Sequence, residues 1–116
     1  MTDVRSRWLA QWADADRRSR EAKDSQSALI ELFAHYRALS PGDRPVVDDL
    51  LAEVAESSEE SVRFDALALI NEFRITAALP ALRRLADKLE HSNDRGAPYE
   101  WAKVNRMIAR LEMGGE

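Results

Sequence analysis

The segment from Ser61 to Leu89, SVRFDALALINEFRITAALPALRRLADKL, constrains the fold more than any other part of this chain. Its first half places Val62, Ala66, Leu69, Ile70 and Phe73 on one helical stripe, with Phe64 and Leu67 on the other side. A helix apolar nearly all round is one buried between neighbours. Its second half places Leu82, Leu85, Ala86 and Leu89 at three- and four-residue steps, the pattern of a helix with a single buried face. The two halves meet at Arg74-Ile75-Thr76, where Thr76 is placed to cap the second helix and Pro80 falls in its first turns.

The same 3.6-residue rhythm runs through the rest of the chain, and strand-like alternation is absent. A first helix is expected from about residue 3 to 20, with Val4, Trp8, Trp12 and Ala15 inward. A second is expected over 25–39, with Leu29, Leu32, Phe33 and Tyr36 on one face. Ser40-Pro41-Gly42-Asp43 stops it and starts a third, with Ser40 as N-cap, burying Val47, Leu50, Leu51 and Val54. Ser57 and Glu60 have capping-box spacing before the fourth helix. After a polar turn at 91–97, Pro98 opens a sixth helix with Trp101, Val104, Ile108 and Leu111 inward.

A shift of 35 residues lays Pro45 on Pro80, Val47 on Leu82, Leu50 on Leu85 and Val54 on Leu89. It also lays Phe64 on Tyr99, Asp65 on Glu100 and Leu69 on Val104. Self-similarity of this kind across two consecutive helices fits helix-pair repeats of roughly 33–47 residues. The expectation is one all-α domain over 1–116: a cap pair at 1–39, repeats at 40–74 and 75–111, and a frayed tail at 112–116.

Val62-Arg63-x-x-Ala66-Leu67-x-x-Ile70, followed by Ala78-Leu79-Pro80-x-Leu82-x-x-Leu85, resembles the HEAT-like (PBS-lyase-type) repeat family. The resemblance is clearest over 61–89. It implies a short α-solenoid of about six helices in three antiparallel pairs, with inner helices lining a concave face. It departs from that pattern where the loop before Pro98 is long and polar and the sixth helix lacks the Val-Arg pair. Small bacterial proteins with such repeats include adaptors and immunity proteins that neutralise a toxin.

Net charge is −4, and the deficit is local. Residues 43–60 hold Arg44 against seven carboxylates, while the flanking stretches 1–42 and 61–116 each come to +1. Nucleic acid is therefore not the expected partner, because neutralising phosphates takes a net basic face. Asp14–Arg18 and Asp16–Arg20 fall four apart and are expected to neutralise each other. No apolar run approaches the roughly 20 residues that span a bilayer. With no cysteine and no signal-peptide pattern at the N-terminus, a reducing, cytoplasmic setting is the expectation.

Catalytic and metal signatures are lacking. The chain has no cysteine, no G-x-S-x-G elbow and no glycine-rich phosphate loop. Asp48-Asp49 and Glu59-Glu60 are carboxylate pairs expected on solvent-facing surfaces, and His35 and His91 have no converging ligands in the sequence. The expectation is a non-enzyme without cofactor or metal.

Two surfaces are candidates for a protein partner. On the inner helices Phe64, Ala68 and Asn71 lie opposite the fourth helix's main stripe, with Asp65 beside them, and Tyr99, Arg106 and Arg110 lie opposite that of the sixth. Aromatic residues with arginine are common anchors of protein interfaces. On the third helix Asp49, Glu53 and Glu56, extended by Glu60, make an acidic line suited to a basic partner such as a nuclease toxin, or simply to solvent. Trp8 and Trp12 form either the core of the cap or a stripe that pairs two copies, leaving monomer and weak homodimer both open. A self-associating subunit and a small enzyme remain the other readings.

Overall fold

A computed structural model of the chain describes residues 3–24 and 26–114. These form six α-helices: α1 (Val4–Ala22), α2 (Ser27–Arg37), α3 (Arg44–Val54), α4 (Glu60–Phe73), α5 (Leu79–Glu90) and α6 (Ala97–Gly114). A 3-10 turn, Thr76–Ala78, precedes α5, and no strand occurs among the described residues. No helix is long and apolar enough to cross a membrane. The described residues gather into two compact units that divide between Leu50 and Leu51, within α3.

In the N-terminal unit, Asp3 caps α1 by accepting the Ser6 N–H at 2.7 Å, which satisfies one of the donors a helix start leaves open. Trp8, Trp12 and Ala15 are buried, as the spacing predicts, and Leu32, Tyr36 and Ala28 of α2 are buried with them. The Trp8 and Tyr36 rings meet edge to face with centroids 6.5 Å apart. Both tryptophans thus belong to the core. Arg18 ties the two helices together, bonding to Asp14 on its own helix and to Glu31 on α2. The α1 helix ends on Lys23 in the left-handed conformation, φ 56°, with the Ser19 hydroxyl donating to the Asp24 carbonyl.

In the C-terminal unit, Ala66, Leu67, Leu69 and Ile70 of α4 are buried along with Ala81, Leu82, Leu85, Ala86 and Leu89 of α5. Val104, Met107 and Leu111 complete this core from α6. The stripes expected on α4 and α5 are thus largely realised, with Val62 and Phe73 half-buried at the ends.

Helix starts depart from expectation in a consistent way. Ser40 does not cap α3: its side chain accepts the Asp43 N–H at 3.3 Å within a turn over 41–43, and the helix begins at Arg44. Ser57 likewise accepts the Glu59 N–H at 3.1 Å, and α4 begins at Glu60 without a side-chain cap. Thr76 opens the 3-10 turn instead of α5, again with no side-chain cap. For Ser40 and Ser57 the short polar side chain bonds locally in a turn before the helix, an alternative open to Ser and Thr.

The expected start of α2 at Ser25 lies outside the described residues, and α2 ends at Arg37, short of Leu39. The tail expected from 112 is helical through Gly114; residues 115 and 116 lie outside the described part. Trp101 was expected inward, yet it is 39% exposed. The buried stripe of α6 runs through Ala97, Val104, Met107 and Leu111, turned toward the edge where Glu100 meets Arg63. That roll carries Trp101 to the rim.

Candidate functional site

The geometry of α4 and α6 brings together most of the residues singled out on the inner helices. Arg63 bonds to Glu100, the Lys103 ammonium stands 4.7 Å from the Phe64 ring centroid, and Arg110 donates to Asn71 at 3.3 Å. The sequence separations of these pairs are 37, 39 and 39 residues. A nearly constant positive separation means that the two helices run in the same direction. The stripe Glu60, Phe64, Leu67, Asn71 on α4 accordingly lies alongside Tyr99, Lys103, Arg106, Arg110 on α6, both spaced four, three and four residues apart.

Between the N-terminal halves of these stripes is a groove of about 210 Å³. Leu67, fully buried, belongs to its floor, and Phe64 and Tyr99 stand at its sides, 50% and 78% exposed. Exposure of two large aromatic residues in one place is costly, since each withholds apolar area worth roughly 25 cal/mol per Å² if buried. Lys103 shields part of the Phe64 ring through a cation–π contact. Glu60 closes the groove at the start of α4.

Charge on this face is uneven. Glu100 is neutralised by the Arg63 fork, Nε at 2.9 Å and Nη2 at 2.7 Å. Lys103, Arg106 and Arg110 make no ion pair among the described residues; Arg110 meets only the neutral amide of Asn71. Asp65 is half-buried beside Phe64, one step off the stripe. Sequence reasoning found Phe64, Asn71, Tyr99, Arg106 and Arg110 but missed Lys103, although Lys103 follows Tyr99 by one helical turn.

The acidic line on α3 is less available than its sequence implies. Glu56 accepts both Nε and Nη2 of Arg84 at 2.8 and 2.9 Å, with Lys88 Nζ at 3.7 Å. The Arg84 bond holds the Glu56 carboxyl below its ordinary value. Glu56 therefore braces α5, and a partner would have to displace two cations to reach it. Asp48 accepts the Tyr36 hydroxyl at 2.8 Å, and burial pushes its pKa up despite that bond. Asp49 and Glu53 remain on the exposed side of α3.

The two histidines sit apart from the groove. His35 borders a shallow recess of about 160 Å³ beside Arg7, Trp8 and Asp43. At the end of α5, Asp87, Glu90 and His91 bring ligand-type atoms within 4.8 Å of one another, a convergence not anticipated from sequence. All three are exposed, and His91 Nδ1 is already engaged, donating to the Asp87 carbonyl at 2.8 Å. The imidazole thus completes the helix end, where a cation is favoured; that bond, with Asp87 nearby, raises its pKa.

Comparison of the chain with protein-family models, with curated proteins and with solved structures finds no match in any of the three. What stands is an all-helical chain whose α4–α6 face combines exposed aromatic rings with cations that make no ion pair among the described residues.

Proposed function

We propose that this chain is a HEAT-like, non-catalytic protein-binding module that engages its partner through the face shared by α4 and α6. The observation that carries the reading is the pair Phe64 and Tyr99, both exposed and both beside one groove over Leu67. Aromatic anchors beside arginine are the residues on which interface energy concentrates. The groove, at about 210 Å³, falls below the roughly 300–1,000 Å³ of small-molecule sites and suits a single anchoring side chain. The parallel run of α4 and α6, with α5 between them in sequence, fits stacked helix pairs, which typically present such a face to another polypeptide.

A partner of basic character on the acidic side of α3, as in toxin neutralisation, is the weaker reading, because Arg84 and Lys88 already occupy Glu56. The test places a photo-crosslinking benzophenone side chain at Tyr99, at Asp49 or at the exposed α1 residue Ala10. Adducts from position 99 with one defined protein, lost on Phe64→Ala, support the reading. Adducts from position 49 alone favour the α3 surface. Adducts only between copies of the chain favour a self-associating subunit, and equal labelling from Ala10 overturns site-specific binding altogether.

A further inference from the structure

Resting on the reading just given, and deepening it, we infer that the α4–α6 groove takes an acidic peptide segment of the partner. An apolar side chain of that segment seats between Phe64 and Tyr99 over Leu67. Carboxylates following it lie along Lys103, Arg106 and Arg110.

The argument is one of charge complementarity along a line. Tyr99, Lys103, Arg106 and Arg110 occupy a single stripe of α6, and beyond Tyr99 every side chain on it is cationic. Ion pairing inside the protein consumes cations elsewhere: Arg17 and Arg18 bond to Asp14, Arg63 to Glu100, Arg83 to Glu112 and Arg84 to Glu56. Lys103, Arg106 and Arg110 make no ion pair among the described residues, as holds also for Lys23, Arg74 and Arg95; what sets the three apart is that they share one stripe beside the aromatic groove. A carboxylate from outside would compete there with the Asn71 amide for Arg110 and with the Phe64 ring for Lys103.

The carboxylates nearest this face strengthen the polarity. Glu100 is spent on Arg63, while Glu60 stands at the groove's opposite end from Arg110. The two stripes therefore run from one negative group, through two aromatic rings, to three positive groups, with Asp65 half-buried one step off them. An acidic segment fits it in one direction only, with its apolar anchor toward Glu60 and its carboxylates toward Arg110. Tyr99 to Arg110 spans about 16 Å at the helical rise of 1.5 Å per residue. An extended peptide covers that in about five residues.

A single-stranded nucleic acid also stacks bases on aromatic rings and pairs phosphates with arginine. It is disfavoured here because Glu60 sits in the aromatic groove itself and the chain as a whole carries net charge −4.

The experiment measures fluorescence anisotropy of labelled synthetic peptides with the intact protein. The probe is a leucine followed by four glutamates. Controls replace the glutamates with glutamines or with lysines, and a uridine oligonucleotide forms a separate arm. The expected result is that the glutamate peptide binds about tenfold or more tightly than the glutamine peptide. Its affinity should fall several-fold from low to high salt, as screened charge pairs do. Lys103→Glu combined with Arg106→Glu should reverse the preference toward the lysine peptide; because Lys103 is half-buried against Phe64, Arg106→Glu combined with Arg110→Glu, both exposed, repeats the test if circular dichroism changes. Phe64→Ala should weaken all peptides alike.

Equal binding of the glutamate and glutamine peptides overturns the inference, as does no glutamate-peptide binding at about millimolar protein. Tighter binding of the oligonucleotide, relieved by the same charge reversals, replaces it with a nucleic-acid site. Crosslinking from position 99 to a partner segment lacking acidic residues would sink this inference while leaving the protein-binding reading intact.

Discussion

Arg63 on α4 forks onto Glu100 on α6, Nε to Oε2 at 2.9 Å and Nη2 to Oε1 at 2.7 Å, while its Nη1 donates to the Ser57 carbonyl at 3.0 Å. One guanidinium thus fixes two helices and the turn before α4. The two side chains are only 12% and 15% exposed, so water screens the pair weakly. Arg63 also stands in the Val-Arg pair that carries the repeat resemblance, which gives that sequence position a physical task.

Lysine cannot reproduce three bonds in this planar arrangement. Arg63→Lys is expected to cost about 2 kcal/mol in denaturant unfolding, and Glu100→Gln a similar amount. A double-mutant cycle should show coupling above about 1 kcal/mol. Additive single effects would mean that the fork does not join the helices.

Lys23 and Arg74 end α1 and α4 in the left-handed region, at φ 56° and 50°. Only glycine takes that conformation without a steric penalty. Arg74→Gly is expected to raise stability by up to about 1 kcal/mol, the released strain exceeding the added freedom of the unfolded chain. Thermal unfolding of the variant checks this, and a lower midpoint would show that the Arg74 side chain contributes more than its backbone strain costs.

Trp8 is 1% exposed, and its indole N–H meets no acceptor among the described residues. Trp8→Phe removes that buried donor while keeping a ring against Tyr36. It should cost under about 1.5 kcal/mol, where Trp8→Ala costs about 3–5 kcal/mol. Equal losses from both substitutions, measured by chemical denaturation, would mean that the indole nitrogen is satisfied in solution.

Two carboxylates give stability opposite dependences on pH. Burial raises the Asp48 pKa in the folded protein, so its charge opposes folding at neutral pH, and acidification through the folded value relieves that penalty. Arg84 lowers the Glu56 pKa, so its contribution is present at neutral pH and is lost as pH falls through its folded value. Asp48→Asn, which keeps an acceptor for the Tyr36 hydroxyl, should raise the melting midpoint at pH 7 by a few degrees and leave it nearly unchanged at acidic pH. Glu56→Gln should lower the neutral midpoint and converge with the parent in acid. A neutral-pH loss in Asp48→Asn would show that the carboxylate, not the acceptor alone, holds Tyr36.

Much of the helical layout was legible because burial and periodicity are local properties. Val47, Leu50 and Leu51, or Leu82, Leu85 and Leu89, announce a buried face by spacing alone. Caps were read less well. Ser40, Ser57 and Thr76 carry the right chemistry, but each can satisfy a turn as readily as a helix start, and position in sequence does not choose between them. Repeat equivalence and contact are different relations. Self-comparison aligns Phe64 with Tyr99 at 35 residues, whereas contacts join Phe64 to Lys103 at 39, one helical turn further on.

By itself the sequence determined that this chain is all-helical, most of the residues its helices bury, and that Phe64 and Tyr99 stand out as candidates on the fourth and sixth helices. Tertiary structure alone decided which charges are spent. Glu56 and Arg84 are 28 residues apart and Arg63 and Glu100 are 37 apart, so no local pattern announces either pair. Once they close, the acidic line on α3 loses a member, and Lys103, Arg106 and Arg110 stand together on one stripe with no ion pair among the described residues. The physical reason is that helical periodicity acts over four residues, whereas ion pairing depends on distances that only packing sets.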